Sequence, residues 1–493
     1  MTRLRKRLQS RWLRSNSSSD VGQFRSRARH GLARVLSRWL AAFAAASAAA
    51  CGGEPRTGSV VLVLLDTVRA DKLGCYGGAR GLTPNLDRFA EHGALFENAS
   101  SHAPWTLPAT ASIYTGLLPP RHGAGGHLPG LTKLPESVAT LAEVAGACGA
   151  RTHAIVNVGF LAEPFGLARG FDTLDARYFE NNEEVRRAGE TVDRACAWLD
   201  EHANEPYFLV VHFFDAHATY DPPPPFRERF AKPEDAEPGS LSFGSMSDIV
   251  ALRTGRAALE RSTIERAEAL YDGEIAYLDA EIGRLLAHLA QRADAQRTVI
   301  AITADHGEEF LDHGGFEHGH SLHSELLHVP LLLQHASLAA ARVADPVGHV
   351  DVLPTLCELA GWRAPDGLDG SSLVPSLHGA RPPASPGLGY GNFWGPPLAS
   401  LRASADKLIV YPQSSGRAPE LFEWRGDPRE QRDLAAARPD RSVEMQRRLQ
   451  ALLASLELKS NPARAADLDP ALLRELERLG YSGGSDPANR RDR

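Results

Sequence analysis

From residue 59 onward, apolar runs alternate with segments of helical spacing along the chain. The runs 60–65, 207–214 and 298–303 are short, continuous and rich in β-branched or aromatic residues, which is typical of strands buried on both faces of a parallel sheet. Between two of them, the segment 265–293 repeats apolar residues every three or four positions. This alternation predicts an α/β fold with a mostly parallel central sheet sandwiched by helices.

The sequence Trp-Thr-Leu-Pro at 105–108 precedes a predicted helix over 109–116. Thr106 would then lie at a helix N-terminus, where free backbone N–H groups and the helix dipole favour an anion. The plain alternative is that Thr106 is a capping residue that satisfies one or two of those donors. Further helices are expected over 83–91, 134–147, 183–202 and 443–456, and further strands over 152–157 and 331–333.

A change in composition around 382–397, where proline and glycine accumulate, predicts a domain boundary. We therefore expect a catalytic domain over 58–385, a small C-terminal α+β subdomain over 386–462 and a polar tail over 463–493. The segment 220–246 is rich in proline and charge, and it is predicted to be a surface loop or lid.

The N-terminal segment 1–57 is predicted to be an export signal and linker. Its first 38 residues contain ten arginines and a single acidic residue, and the apolar stretch 39–50 that follows is too short to span a bilayer. Cys51 follows Ala-Ala and precedes Gly, as in a bacterial lipoprotein signal, so a lipid anchor at Cys51 and a location in the bacterial cell envelope, periplasmic or lipid-anchored, are expected. Ala48 departs from the leucine usual in such signals, and a basic arm with an alanine-rich helix is the alternative.

The 493 residues carry a formal net charge of −7, with 43% hydrophobic positions. That charge gives no basic field for nucleic acid, so a small-molecule, glycan or lipid ester fits better as substrate. Four further cysteines are widely spaced and predict neither a zinc site nor a disulfide framework. The sequence does not predict an oligomeric state.

Acidic and imidazole side chains follow two of the predicted strands. Asp66 comes directly after 60–65, and Asp305 and His306 follow 298–303. A carboxylate at a strand end is costly to bury unless it is paired or bound to a metal. Asp66 by itself also fits a helix cap or a salt bridge, but the three together predict one divalent cation, with Mg²⁺, Mn²⁺ or Ca²⁺ favoured and Zn²⁺ open.

Ordered motifs recur along most of the chain, at residues 60–77, 105–116, 121–123, 208–217, 271–277, 305–308, 318–320 and 349–355. Together they resemble the sulfatase family, within the alkaline phosphatase superfamily. The resemblance implies the alkaline phosphatase-like fold and an ester-cleaving enzyme. It also implies that Asp66, Asp305 and His306 are metal ligands and that Thr106 stands at the position of the nucleophile, as a fourth ligand.

The chain departs from that family at the nucleophile. Sulfatases convert a cysteine or serine within Cys/Ser-x-Pro-x-Arg into formylglycine, whereas this chain has Thr106, Pro108 and Thr110 in that pattern. Threonine cannot form the aldehyde, so no formylglycine is expected. A cation beside the Thr106 hydroxyl would ease its deprotonation for attack on phosphorus. Relatives of the family with a threonine nucleophile handle phosphodiesters and phosphonate esters, so the resemblance favours these substrates, for hydrolysis or transfer. A true sulfuric ester hydrolase and an inactive envelope binding protein are the alternatives.

Other residues are candidates for contact with the substrate. His217, two residues beyond Asp215, is expected to protonate the leaving oxygen or to bind a non-bridging oxygen of the ester. The resemblance places His318 and His320 near the active-site lysine of sulfatases, and Asn157 near a lost Gly-Lys-Trp-His segment, so these three are predicted to bind substrate. A second metal held by Asp215, His217 and His320 is the less favoured alternative.

Overall fold

The structure, a computed structural model, describes residues 58–476 apart from 128–129, 178–185, 204, 231–260, 381–386 and 469. The predicted export signal, with Cys51, and much of the predicted lid lie outside the described residues. Among the helices that are described, none has the length and apolar character needed to cross a membrane.

The strands of the described chain are β1 (Ser59–Leu65), β2 (Ala94–Phe96), β3 (Ala99–Ser100), β4 (Thr132–Lys133), β5 (Arg151–Val156), β6 (Thr173–Ala176), β7 (Tyr207–Phe213), β8 (Thr298–Ala304), β9 (Glu309–Phe310), β10 (Phe316–Glu317), β11 (Leu331–Gln334), β12 (Ala341–Val343), β13 (Val347–Gly348), β14 (Gly387–Gly391), β15 (Leu398–Ala403), β16 (Asp406–Val410), β17 (Glu420–Glu423) and β18 (Arg464–Ala465). The α-helices are α1 (Pro84–His92), α2 (Thr106–Thr115), α3 (Pro119–His122), α4 (Leu141–Ala147), α5 (Ala188–Glu201), α6 (Phe226–Phe230), α7 (Arg261–Gln291), α8 (Ser324–Leu327), α9 (Val352–Ala360), α10 (Val374–Leu377), α11 (Pro439–Glu457) and α12 (Pro470–Leu476). Short 3₁₀ turns lie at Ala70–Lys72, Gly74–Tyr76, Gly159–Leu161, Glu163–Phe165, Ala295–Arg297, His349–Asp351 and Gln413–Ser415.

The predicted central sheet is confirmed, with strand order β12-β2-β11-β8-β1-β7-β5-β6. Parallel pairing joins β1 to both β7 and β8, and β5 to both β6 and β7. Strand β11 is the exception, because it runs antiparallel to β8 and β2. The sheet is therefore mixed but mostly parallel.

The register of the three central strands places their carboxyl ends side by side. Leu65 at the end of β1 is opposite Phe213 of β7 and Ala304 of β8. The next residues continue the pairing, since Asp66 N donates to Phe213 O and Asp305 N donates to Leu65 O. Residues that follow these strands are therefore neighbours in space although they are far apart in sequence.

A second, antiparallel sheet of order β14-β15-β16-β17 forms the small C-terminal part. Helix α11 packs on it through Met445 and Leu449, which are buried against Leu401 and Leu408. Lys407 of β16 forms a buried ion pair with Glu430 at 2.8 Å. This sheet with its helix matches the α+β character predicted for 386–462.

Two sequence predictions differ from the structure. The helix expected over 134–147 is limited to Leu141–Ala147, because Thr140 and Glu143 form a capping box that starts the helix there. The polar tail expected from residue 463 instead begins with packed structure. Strand β18 pairs with β4, and Leu472 and Leu476 of α12, four residues apart, are buried.

Candidate active site

Three side chains at the carboxyl ends of β1 and β8 converge on one point. A carboxylate oxygen of Asp66, a carboxylate oxygen of Asp305 and a ring nitrogen of His306 all lie within 4.8 Å of one another, and all three residues are buried. Ligand atoms that share a cation at about 2.0–2.6 Å lie roughly 3–5 Å apart. The geometry fits one small cation.

Asp66 is oriented by His212 of β7. The Asn157 backbone N–H donates to His212 Nδ1 at 3.2 Å, so the ring proton is on Nε2. That nitrogen donates to Asp66 Oδ2, also at 3.2 Å. The other oxygen of the carboxylate, Oδ1, is buried without a hydrogen-bond partner.

Asp305 shows the same division between its two oxygens. Oδ1 accepts hydrogen bonds from the backbone N–H groups of His306 at 2.8 Å and Thr67 at 3.2 Å. Oδ2 is buried and has no hydrogen-bond partner. Two unpaired carboxylate oxygens in the interior are unfavourable unless a cation lies between them.

The ring of His306 turns its basic nitrogen toward these oxygens. Nδ1 donates to Gly307 O at 2.9 Å, which leaves the lone pair on Nε2. Nε2 is 3.4 Å from Asp305 Oδ2 and 3.9 Å from Asp66 Oδ1. An imidazole that donates one ring N–H to a carbonyl oxygen is the usual arrangement of a metal-binding histidine.

The two carboxyl groups have opposite pKa shifts. Burial and the neighbouring charge of Asp66 raise the pKa of Asp305 to about 6. Burial also opposes ionisation of Asp66, but the hydrogen bond from His212 and the nearby histidines hold the pKa of Asp66 below its usual value. The ionised form of Asp66 is therefore favoured in this space, and the ionised form of Asp305 is disfavoured. A divalent cation between them would stabilise both carboxylates.

Thr106 is the first residue of α2, and its hydroxyl faces the same point. Its Oγ1 is 3.4 Å from His306 Nε2. The N-cap residue of the helix is Trp105, and no side chain caps that end. The alternative in which Thr106 serves as an ordinary N-cap therefore does not describe its side chain.

His217 and His318 lie beside this group of side chains. The His318 ring is 4.6 Å from that of His306 and 4.9 Å from that of His217. His217 stacks on Phe214 and donates from Nδ1 to Ala218 O, so proton exchange by this ring falls to Nε2. His318 Nδ1 is 2.9 Å from Glu308 Oε1.

The other two predicted substrate residues have structural partners. Asn157 Nδ2 donates to Thr191 Oγ1 and to the backbone oxygen of His212, the residue whose ring orients Asp66. His320 Nε2 is 2.7 Å from Glu309 Oε2. Burial opposes a charge on this ring, but Glu309 raises the pKa of His320 above its usual value. A role of either residue in substrate binding stays a prediction.

The alternative second metal set is not assembled. Asp215 Oδ1 accepts from the Ala188 backbone N–H, and His320 pairs with Glu309 instead of Asp215 or His217. Its residues do not form a metal-like group in the part of the chain that the structure describes.

A different trio, His313, His323 and Glu325, is close enough to hold an ion. Both ring nitrogens of His313 face acceptors, Glu325 Oε1 at 2.8 Å and Glu430 O at 2.9 Å. The ring is therefore protonated and cannot coordinate a metal as it stands.

Sequence reasoning gave neither His212 nor Glu308 a specific role, although both lie within the motifs 208–217 and 305–308. His212 lies inside the otherwise apolar strand β7, opposite Leu64 of β1. A histidine buried in such a strand must have a polar partner, and that was the available signal. The contact between Glu308 and His318 depends on the return of the chain through β9 and β10, which periodicity does not reveal.

The chain is similar in sequence to known sulfatases. A family model described as Sulfatase matches residues 59–362. A Delta 4,5-hexuronate-2-O-sulfatase of Bacteroides thetaiotaomicron is 24% identical over 414 residues, covering 76% of this chain and 84% of that protein. An arylsulfatase of Clostridium perfringens is 25% identical over 376 residues, covering 64% of this chain and 77% of that protein.

Solved structures share the fold. A phosphonate monoester hydrolase of Agrobacterium radiobacter superposes with a TM-score of 0.65 at 21% identity, covering 81% of this chain and 96% of that one. A protein solved in complex with its substrate D-glucosamine-2-N,6-O-disulfate has the same TM-score at 19% identity, covering 81% of this chain and 98% of that one.

Proposed function

The chain belongs to the sulfatase family, and on that premise we propose that Thr106 is the nucleophile of a metal-dependent hydrolase or transferase that acts on phosphate-type or sulfate esters. Phosphodiesters and phosphonate esters are the favoured substrates. The observation that carries the proposal is the convergence of the Thr106 hydroxyl, 3.4 Å from His306 Nε2, with the unpaired oxygens of Asp66 and Asp305.

Asp66 Oδ1, Asp305 Oδ2, His306 Nε2 and Thr106 Oγ1 are the atoms that would hold the cation. Bound there, a divalent ion supplies Lewis-acid polarisation of an ester oxygen and lowers the pKa of a neighbouring hydroxyl. Three oxygens and one nitrogen suit Mg²⁺, Mn²⁺ or Ca²⁺, and Zn²⁺ accepts the same set.

The residues of the chain would divide the reaction between them. The Thr106 hydroxyl gives its proton to solvent water, and Oγ1 then forms a bond to the central phosphorus or sulfur while the bond from that atom to the leaving oxygen breaks. The leaving oxygen takes a proton from His217, as an alcohol. Attack by water then frees Thr106 in a hydrolase, and attack by a second alcohol does so in a transferase.

The choice of phosphate-type esters rests on the nucleophile. Threonine gives no aldehyde hydrate, so the covalent intermediate must be released by attack on its phosphorus or sulfur. Thr110 stands where the family signature has arginine. The chain therefore lacks one cationic side chain that would bind a sulfate group. The similar fold of a phosphonate monoester hydrolase is consistent with this choice.

Export to the bacterial cell envelope, with a lipid anchor at Cys51, belongs to the same proposal. The substrate would then be an envelope or extracellular small-molecule, glycan or lipid ester.

The test is parallel turnover of three aryl esters by the metal-loaded full chain: ethyl 4-nitrophenyl phosphate, 4-nitrophenyl phenylphosphonate and 4-nitrophenyl sulfate. We expect the two phosphorus esters to be cleaved and Thr106→Ala to lower kcat by at least about 10³-fold. Intact mass should show a phosphoryl adduct that disappears in the same variant. Turnover that survives Thr106→Ala would exclude the mechanism.

Ser112→Ala is the matched control for that variant. Ser112 lies in the same helix α2, is fully buried, and its Oγ is 3.2 Å from His122 Nε2. Removing its hydroxyl tests whether any loss at 106 comes merely from disturbing the helix. We expect its kcat to match that of the unmodified protein.

True sulfate-ester hydrolysis is the second candidate, favoured by the sulfatase names of the relatives. It predicts that 4-nitrophenyl sulfate is the best of the three esters and that its turnover still requires Thr106. An inactive envelope binding protein is the third, and it predicts no turnover of any ester and no metal in the isolated protein.

A further inference from the structure

A cavity lies between the C-terminal sheet and the segments around β3 and α8. Its volume is about 60 Å³, which is room for about four to six water-sized groups at about 10–15 Å³ each. Neither Thr106 nor a candidate metal ligand lines it. Its polar lining includes Ser100, Ser324, Ser400, Arg402, Lys407 and Glu430. This space is called the Arg402 cavity below.

The guanidinium of Arg402, on β15, lacks a counterion. Its Nη2 donates to Asn98 O at 2.9 Å, and the group lies 4.9 Å from the centre of the Trp424 ring. Nε is buried without a hydrogen-bond partner, and Arg402 forms no ion pair with any carboxylate that the structure describes. Burial lowers the pKa of Arg402 to about 10, so the side chain stays charged at neutral pH. A desolvated cation of this kind is unfavourable unless an anion joins it.

The other charged groups of the cavity neutralise each other. Lys407 Nζ lies 2.8 and 3.0 Å from the two carboxylate oxygens of Glu430. Ser324 donates to the same carboxylate from its hydroxyl and from its backbone N–H. Burial lowers the pKa of His328, the one histidine among the described lining residues, below its usual value. The positive charge of Arg402 is therefore the one that remains unbalanced among those residues.

Two hydroxyl groups from different strands line the same space. Ser100 belongs to β3 and Ser400 to β15, and both pair with neighbouring strands through backbone atoms. Neither hydroxyl has a hydrogen-bond partner among the residues that the structure describes. Gly389 lies opposite Ser400 on β14, and a side-chain carbon there would lie 2.5 Å from Ser400 Oγ. The glycine therefore leaves this hydroxyl uncovered, and two hydroxyl donors accompany the guanidinium.

These donors match a tetrahedral oxyanion. A guanidinium presents a planar fork that pairs with two oxygens of a phosphate or a sulfate. Hydroxyls on two other strand positions can then meet the oxygens that a tetrahedral ion carries outside that plane, and a planar carboxylate has no oxygens there. A single phosphorus or sulfur with its oxygens also has the size that the cavity accommodates.

We propose that the Arg402 cavity binds a free tetrahedral oxyanion, inorganic phosphate or sulfate, through the Arg402 guanidinium and the hydroxyls of Ser100 and Ser400. The bound ion joins β15 of the C-terminal sheet to β3, from which the chain continues to Thr106. This inference does not depend on ester cleavage, because no residue of the cavity takes part in the proposed reaction.

Calorimetry on the metal-loaded full chain tests the site, with sodium phosphate, sodium sulfate and sodium acetate titrated at constant ionic strength. An anion can also bind at the cation of the proposed active site, so the titrations are repeated on Asp305→Asn, which should not retain that cation. We expect phosphate or sulfate, and not acetate, to bind a site that both proteins share. The ion with the higher affinity identifies the natural occupant.

Arg402→Met removes the unbalanced charge and keeps a side chain of similar length. We expect it to weaken binding of the ion at least about 10-fold, because a hydrogen bond to a charged group usually contributes that much. Ser400→Ala should weaken binding about 2- to 10-fold. Thermal unfolding gives a second measurement, since the ion should raise the Tm of Asp305→Asn and leave that of the Asp305→Asn, Arg402→Met double variant unchanged.

Two further variants control for structural damage and for general charge effects. Arg402→Lys keeps the charge without the planar fork and should lose less affinity than Arg402→Met. Arg425→Gln removes an exposed arginine that lies 4.4 Å from the same Trp424 ring. Because an exposed charge is screened by salt, this change should alter the affinity less than about 2-fold.

The proposal is wrong if neither ion binds Asp305→Asn, because binding confined to the metal-loaded protein belongs to the active site. It is equally wrong if acetate binds as tightly as the tetrahedral ions, or if Arg402→Met and Ser400→Ala leave the affinity unchanged. A protein that cleaves no ester would contradict the proposed function and would leave these anion affinities as expected.

Discussion

His212 Nε2 donates a hydrogen bond across 3.2 Å to Asp66 Oδ2 and leaves Oδ1 of that carboxylate for a cation. The Asn157 backbone N–H donates to His212 Nδ1, and so the ring proton of His212 lies on Nε2. Neither residue was assigned this role from the sequence. The candidate metal site thus depends on a chain of hydrogen bonds that joins residues of three neighbouring strands.

We expect His212→Gln to weaken divalent-metal affinity about 10- to 100-fold, because loss of an outer partner usually costs that much. Competition titration against a chelating dye measures it. His153→Gln is the control, since His153 lies on the adjacent strand β5 and bonds to Thr173 instead. Equal affinities in the His212 and His153 variants would contradict the assignment.

Removal of metal should expose the strain of the paired carboxyl groups. The pKa of Asp305 is raised to about 6 in the folded protein. Its protonated carboxyl group therefore contributes fully to the unfolding free energy below about pH 4, and this contribution is lost as the pH rises through about 6. The EDTA-treated protein should therefore lose about 3 kcal/mol of unfolding free energy across that range.

Asp305→Asn should abolish this loss and also abolish tight metal binding. Urea unfolding at pH 4.5 and 7.5 in EDTA provides the measurement. Asp366→Asn, at an exposed position, is the control and should keep the pH dependence of the unmodified protein. A flat profile in that unmodified apoprotein would refute the expectation.

A histidine in the loop before β10 gives the opposite kind of pH dependence. Burial disfavours a charge on His313, but the hydrogen bond and charge of Glu325 raise its pKa to about 9. The resulting stability is fully present below about pH 6.5 and is lost as pH rises through about 9, an effect of about 3 kcal/mol.

The measurement is the difference in unfolding free energy between the unmodified protein and Glu325→Gln. The gap should be large at pH 6.5 and should narrow by pH 9.5. Glu358→Gln removes an exposed carboxylate of α9 and should show no such change. A gap that stays constant with pH would mean that His313 is not charged in the folded protein.

The capping box of α4 predicts a local loss of stability. Thr140 is fully buried, and its Oγ1 accepts from the Glu143 backbone N–H at 3.2 Å. We expect Thr140→Ala to lower the unfolding free energy by about 1–2 kcal/mol, measured by urea unfolding. Ser137→Ala, at an exposed site, should cost less than half as much.

Much of the fold was predictable because buried parallel strands leave a strong signal. The apolar runs 60–65 and 298–303 predicted β1 and β8 within one residue at each end. The helix over 134–147 was predicted too long, since apolar spacing continues into a loop that Thr140 terminates. The capping box sets the start of this helix, and hydrophobic periodicity does not reveal that position.

The candidate metal ligands were predictable for a related reason. Residues after adjacent parallel strands share one edge of the sheet, so Asp66, Asp305 and His306 meet once the strand order is known. His212 is different, because its contact with Asp66 depends on the register of a third strand.

The pairing of β1 with β8 also constrains when the site can exist. The Thr67 backbone N–H reaches Asp305 Oδ1 across 238 positions of sequence, and contacts of such long range form late in folding. During synthesis, a chain that ends before residue 298 already contains Asp66 and Thr106 but lacks half of the ligand set. The candidate metal site can therefore form only after β8 has paired with β1, and a chain that ends before residue 298 cannot assemble it.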